Sequence, residues 1–79
     1  MGKNLKGKDL GLIDFRGAYL IAADLQKADF VGVNLRAADL SGANLSGSLL
    51  LTQMQINSAK GNSETRLPVH LQRSSHGVY

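Results

Sequence analysis

Residues 23–47 read ADLQK ADFVG VNLRA ADLSG ANLSG, which is five pentapeptides with one shared pattern. A large apolar residue stands at the centre of each, and the same spacing continues outward to give ten centres. An α-helix would scatter these side chains around its surface because five residues turn it by roughly 500°, and a flat strand would send alternate members to opposite faces. All of them can point inward only if the chain bends once in every pentapeptide. The predicted structural core is Leu5, Leu10, Phe15, Leu20, Leu25, Phe30, Leu35, Leu40, Leu45 and Leu50.

The other positions of the pentapeptide support a bend in each repeat. Asp or Asn precedes the centre in eight of the ten repeats, and both residues tolerate tight turns and hydrogen-bond nearby backbone. Alanine is common two residues before the centre, and glycine recurs two residues after it, where small size or a free φ suits a corner. Bends at this spacing close a coil of about twenty residues, so the sequence predicts an all-β solenoid of stacked coils.

The segments ADLQK at 23–27 and ADLSG at 38–42 resemble the A(D/N)LXX unit of the pentapeptide-repeat family. The resemblance covers residues 13–48. It implies a right-handed quadrilateral parallel β-helix, which at twenty residues a coil gives about two and a half coils across residues 1–50.

The beginning of the chain departs from this pattern. Lys3 and Lys8 stand where the family has a small, inward residue. Either their aliphatic stems snorkel outward from a first coil, or the ordered coil begins near Ile13.

A helix-start signal follows the last repeat. Thr52 and Gln55 are spaced as a capping box, in which each side chain serves the other end of the first helical turn. Gly61 provides a stop signal. We therefore expect a short α-helix at about Gln53–Lys60, placed as a lid over the last open coil because solenoid ends need caps.

Three segments are predicted along the chain. They are a pentapeptide-repeat β-helix at 1–50, a capping helix at 51–61 and an irregular, polar C-terminal tail at 62–79. The stretch 52–68 also resembles a C-terminal extension found in many bacterial pentapeptide-repeat proteins.

Catalytic, cofactor and metal sites are not expected, and the chain is predicted not to be an enzyme. The repeat aspartates occupy regular turn positions, which accounts for them as structural carboxylates. His70 and His76 lie in the polar tail, and the chain has no cysteine to complete a zinc site. Ser74, Ser75 and His76 put a hydroxyl beside an imidazole, but catalysis also needs a pocket and an orienting third group.

A structural or protein–protein interaction module with an unidentified partner is therefore the predicted function. The cytoplasm is the expected location, because no run is long and apolar enough to span a membrane and no secretory leader is visible. The family resemblance raises one alternative, a DNA-mimicking topoisomerase-binding protein of the quinolone-resistance type. That mimicry needs a long acidic rod, and the net charge of +3 disfavours it. The other alternative is weak binding to nucleic acid or another anionic surface through Lys3, Lys6 and Lys8.

Self-association is a further expectation. So few coils are marginal for a stable repeat array, and unpaired strand edges at the coil ends invite another chain. We expect a homo-oligomer formed through a coil end or the C-terminal helix, unless the chain is the C-terminal part of a longer repeat protein.

Overall fold

Single parallel β-bridges, not long strands, organise the protein in a computed structural model that describes residues 2–73. The first six bridges join residues twenty apart, so each coil of the chain lies beside the coil before it. The bridges form four columns, which define sides 1 to 4 of the coil in chain order. Side 1 pairs Asn4, Asp24, Asn44 and Arg66; side 2 pairs Asp9, Asp29 and Leu49; side 3 pairs Asp14 and Asn34; side 4 pairs Tyr19, Asp39 and Lys60.

Each corner of the regular repeats is a tight turn with one residue at positive φ. The carbonyl of a repeat centre accepts the N–H three residues later, as Phe30 accepts from Val33 at 3.0 Å, and the residue two after the centre takes the left-handed conformation of a type II turn. Gly32 has φ 65° there, and Leu12 occupies the equivalent position one coil earlier at φ 64°. A Cβ at Gly32 would lie 2.5 Å from a terminal methyl of Leu12. Glycine at 32 therefore makes room for the leucine above it.

The Asp or Asn before each centre hydrogen-bonds its own turn. In all eight such repeats the side-chain Oδ1 accepts the backbone N–H two residues later, at 3.0–3.2 Å. This bond satisfies a backbone donor that the corner leaves without a coil-to-coil partner. The eight residues are Asn4, Asp9, Asp14, Asp24, Asp29, Asn34, Asp39 and Asn44.

Tyr19 occupies this position without being able to make the bond, which gives a stabilising prediction. Tyr19 is 81% exposed, and the Ile21 N–H has no acceptor among residues 2–73. Tyr19→Asn should raise the free energy of unfolding by about 1 kcal/mol, because the amide supplies the missing acceptor. Asn is preferred to Asp because the column places Asp39 directly below. Urea unfolding measures the change, and Tyr19→Ala is the control that should show no gain.

Seven of the ten repeat centres are buried, with at most 4% of their surface exposed. Leu5 and Phe15 of the first coil are half-buried. Leu50 is the exception, because it is 66% exposed while Leu51 is 2% exposed. The prediction that Leu50 is a core residue is therefore wrong. Leu49 still pairs on side 2, but Leu50 then turns outward at φ 55°, and the next leucine enters the core.

The α-helix, α1, spans Gln53–Ser58. Its capping box is confirmed: Thr52 Oγ1 accepts the Gln55 N–H, and the Gln55 side chain accepts the Thr52 N–H. The helix ends two residues earlier than predicted, at an extended Ala59. Gly61 is therefore not its stop.

The helix replaces one side of the third coil, so its prediction as a lid over the last coil is wrong. The Ser58 carbonyl accepts the Ala37 N–H below side 3, and the chain then rejoins side 4 at Lys60 and side 1 at Arg66. Pairing thus continues sixteen residues past residue 50, because the helix returns the chain close to register. Thr65, inside the predicted irregular tail, is fully buried.

The two ends of the structure differ. At the C-terminal end, Leu67 and Leu71 pack against the core. At the N-terminal end the first coil is formed, since the Leu5 N–H donates to the Asp24 backbone carbonyl at 2.8 Å. Lys3 and Lys8 are exposed, which matches the outward alternative for these lysines and excludes a start near residue 13.

Candidate interaction surface

Five large apolar side chains are exposed around the corner between sides 2 and 3. They come from all three coils, and we call them the corner patch: Leu12 (81% exposed), Val31 (44%), Leu49 (54%), Leu50 (66%) and Met54 (82%). Isolated surface leucines are common, whereas a cluster of exposed apolar side chains is typical of a surface that contacts another molecule.

The backbone fixes the shape of this patch. The positive φ of Leu12 and of Leu50 turns both side chains out at the corner. An open groove of about 550 Å³ adjoins Leu50, with Gly32 at its base and Val31, Leu50 and Met54 along its walls. Gly32 has no side chain, so the groove lies at the point of the corner where no side chain covers the backbone. The helix supplies the lower wall through Met54.

Charges of opposite sign flank the patch. Side 2 carries Asp9 and Asp29, and side 3 carries Arg16 and Arg36. Arg16 is paired with Asp14 at 2.9 Å, and hydrogen bonds from this guanidinium hold the pKa of the Asp14 carboxyl below its ordinary value.

Arg36 has no such partner. Its guanidinium makes no ion pair or hydrogen bond within residues 2–73, and Asp29 has no cation within 4.0 Å in the same part of the chain. Each is therefore available to a charge from outside the protein.

The predicted anion-contact residues lie together but away from this patch. Lys3 and Lys6 are on side 1, and Lys8 follows the corner onto side 2. All three are exposed, and Lys27 joins them from the second coil. Within the described residues none of these lysines forms an ion pair.

The groups considered for chemistry are structural or isolated. Each repeat aspartate holds a turn, and no cluster of His, Cys, Asp or Glu among residues 2–73 could bind a metal ion. His70 places Nε2 3.4 Å from the Leu51 carbonyl. Ser74, Ser75 and His76 lie outside the described residues.

Asp39 provides a prediction about this structural role. The Ser41 hydroxyl donates to its carboxylate at 2.7 Å, and with the Ser41 N–H it lowers the pKa of Asp39 below 3.8. The ionised form is thus the one the fold favours, and this stability is lost as pH falls through the lowered pKa. Ser41→Ala should raise the Asp39 pKa towards 3.8, because only the backbone donor remains. Carboxyl carbon NMR titration measures it, with Ser46→Ala as the control that leaves the Asp39 pKa unchanged.

The family model for pentapeptide repeats matches eight copies across residues 13–50. Residues 13–50 belong to the pentapeptide-repeat family. No curated protein matches the chain. In six of the eight matched repeats an Asp or Asn precedes the centre and holds the turn, and Tyr19 and Leu49 occupy that position in the other two. The match ends at Leu50, whose side chain points outward. Residues 2–73 contain no helix long and apolar enough to cross a membrane.

The corner patch was not among the sequence-predicted sites, although part of its signal is present. Leu12 and Val31 occupy the two outward corner positions of the pentapeptide, and Leu12 stands at the second of these, where glycine recurs in other repeats. Adding twenty to Leu12 gives Gly32, next to Val31, which already indicates a shared corner. Leu50 and Met54 join it only because the chain leaves the period at residue 50, which no repeat arithmetic predicts.

Proposed function

We propose that this pentapeptide-repeat chain is a non-catalytic interaction module that presents the corner patch to another protein. Its coil is proposed to be the right-handed, quadrilateral β-helix of the family. The observation that carries the proposal is the clustering of five exposed apolar side chains at one corner, with contributions from all three coils. Coils held by backbone bonds on every side provide a rigid support, so little order has to be gained on binding.

The surroundings of the groove support binding over catalysis. It is lined mainly by apolar side chains, and its polar members are largely engaged within the protein. Gln55 donates to the carbonyls of Phe30 and Val33, for example. Catalysis of acyl or phosphoryl transfer needs a nucleophile, a base and a pocket that excludes water, and an open apolar groove favours contact with a second surface instead.

Site-specific photo-crosslinking tests the proposal. A benzophenone amino acid replaces Met54 in the patch and, in a second variant, Tyr19 on side 4, which is exposed to the same degree at 82% and 81%. In cells producing the chain, position 54 should form a discrete protein adduct that position 19 does not form. Adding Val31→Lys to the position 54 variant should abolish the adduct. Equal crosslinking at both positions, or none, would contradict the proposal.

Anion binding is the second candidate function. The distribution of charge supports it, though less strongly than the corner patch supports the interaction module. Side 1 carries four cationic side chains and one acidic one, so the net charge of +3 is concentrated there. The cations are Lys3, Lys6, Lys27 and Arg66. Retention on heparin that falls steeply with salt would support this function, and Lys6→Ala with Lys27→Ala should then reduce it.

A DNA-mimicking topoisomerase binder is the least supported candidate. The protein measures 27 × 24 × 24 Å and so is not an extended rod, and its basic side 1 is opposite in sign to a DNA mimic. Unchanged supercoiling by a bacterial type II topoisomerase in the presence of the purified chain is the expected result.

A further inference from the structure

We infer that the occupant of the corner patch is a second copy of this chain, lying alongside the first with the two coil axes parallel. This inference rests on the proposed function and names its partner. It assigns the predicted self-association to a lateral surface, where the earlier expectation placed it at a coil end or on the C-terminal helix.

The distribution of charge around the patch is the first step. Asp29 lies on side 2, in the same coil as Arg36 on side 3, and the patch separates them. Arg16, one coil above Arg36, reaches back to Asp14 at the middle of side 3. Arg16 and Arg36 each stand one residue after a repeat centre of side 3. Since Arg16 extends back over side 3, the Arg36 guanidinium also has access to the middle of that side. The patch thus has one free negative and one free positive group at the same height.

Two-fold symmetry turns this arrangement into complementarity. A closed dimer uses the same surface on both copies. If the two-fold axis runs parallel to the coil axis, side 2 of each copy faces side 3 of the other at equal height. Asp29 then meets Arg36 of the second copy, twice in one dimer, around a shared apolar centre. If the axis runs across the coil instead, Asp9 and Asp29 face the same carboxylates of the second copy, which is repulsive. Charge therefore selects the parallel arrangement.

The coil ends are poorer sites for self-association. Lys3 and Lys8 occupy the first coil at positions where the next coil has Ala23 and Ala28, which are buried. Both lysines point outward here, so another coil stacked on this end would crowd their side chains and remove water from two ammonium groups that have no partner. Charged side chains are a known guard of strand edges. The opposite end is already covered, since Leu67 and Leu71 pack there against the core.

The size of the patch sets the strength of the association. A standard stable interface uses about 20–30 residues on each side, and the corner patch with its flanking charges offers far fewer. A dimer that dissociates on dilution in the micromolar range is therefore expected. It should also weaken with salt, because two exposed ion pairs contribute to it.

Charge reversal tests the partner and the orientation together. In a parallel dimer Asp29 of each copy meets Arg36 of the other, which gives two junctions. Asp29→Lys places two cations opposite each other at each junction, and Arg36→Glu places two anions there. Each variant alone should be monomeric in sedimentation equilibrium at concentrations where the natural chain is a dimer. An equimolar mixture of the two should recover the dimer, because both junctions then pair opposite charges.

Two controls separate the interface from the fold. Asp29→Asn keeps the acceptor that holds the Val31 N–H, so it should weaken the dimer less than Asp29→Lys does. Lys27→Glu makes the same charge change as Arg36→Glu on side 1 and should leave the dimer intact. Recovery in the mixture also shows that both reversed variants are folded.

The outcomes distinguish this inference from the proposed function. A natural chain that stays monomeric, while position 54 crosslinks to a different protein, overturns the self-association and leaves the interaction module standing. A dimer that survives both charge reversals, or that the mixture fails to restore, overturns the parallel arrangement. A monomer with no crosslink at position 54 overturns both proposals.

Discussion

Leu51→Ala should lower the free energy of unfolding by about 3 kcal/mol, whereas Leu50→Ala should change it by less than about 0.5 kcal/mol. The two leucines are neighbours with the same side chain, and they differ in burial, with 2% of Leu51 exposed against 66% of Leu50. Truncating Leu51 removes buried methyl groups and leaves a cavity beside the core. Truncating Leu50 removes surface that water already reaches.

Chemical denaturation followed by circular dichroism measures both variants, and each serves as the control for the other. The period of five predicts the reverse order, because it makes position 50 the tenth inward centre. A larger loss for Leu50→Ala would therefore show that the regular period continues and that the outward turn at residue 50 is wrong. Leu50 also belongs to the corner patch, so Leu50→Ala should weaken self-association while leaving stability unchanged.

The sequence predicts the regular coils well because one geometric requirement recurs in every repeat. A centre such as Leu25 or Leu35 points inward, an Asp or Asn before it holds the turn, and the residue two later accepts positive φ. These choices agree with one another at each level, and such agreement is what specifies a fold. The pairing of residues twenty apart follows directly from them.

The prediction fails where several residues satisfy the same requirement. Leu49, Leu50 and Leu51 are equally apolar, so the period alone cannot decide which one enters the core. Two features of the tertiary structure accompany the choice of Leu51. The Ser48 hydroxyl donates to the Leu25 carbonyl at 3.0 Å, and α1 occupies the place of side 3. The start of α1 has a local signal at Thr52, but where the helix packs, and so which leucine enters the core before it, depends on tertiary contacts.

The end of the repeat array was underestimated for a related reason. The segment Thr65-Arg66-Leu67 follows the pattern of a small inward residue, a pairing residue and an apolar centre, and the structure uses it in that way. It lies out of phase with the first ten repeats because the helix and its flanks add residues. A search that holds the phase fixed therefore assigns it to an irregular tail. The corner patch is missed for the same reason, since two of its five members, Leu50 and Met54, depend on the path that the chain takes after residue 49.

Gln55→Ala should lower the free energy of unfolding by about 3 kcal/mol, an effect as large as that of losing a core leucine. The Gln55 amide donates to the carbonyls of Phe30 and Val33, both at 2.9 Å. In regular repeats a carbonyl such as that of Ala23 accepts an N–H from the next coil, in this case from Asn44. Because α1 replaces side 3 of the third coil, no backbone N–H among residues 2–73 donates to the Val33 carbonyl, and the glutamine side chain takes its place.

The expected magnitude follows from what the truncation leaves behind. Val33 is buried, and leaving a buried acceptor without a partner costs roughly 1–3 kcal/mol. The bond to Phe30 adds less, since that carbonyl keeps its turn bond from Val33. Loss of the capping box adds about 1 kcal/mol, because the Thr52 N–H loses its acceptor.

Gln55→Glu separates the two roles of this side chain. The carboxylate keeps an acceptor for the Thr52 N–H, so the capping box survives, but it has no donor for the two carbonyls. We therefore expect Gln55→Glu to be at least as destabilising as Gln55→Ala in thermal and urea unfolding at neutral pH, despite its better cap. If Gln55→Glu were as stable as the natural chain, the cap alone would explain the glutamine. The third coil would then be held by its pairing at Lys60 and Arg66, and the bonds from Gln55 to the second coil would contribute nothing measurable.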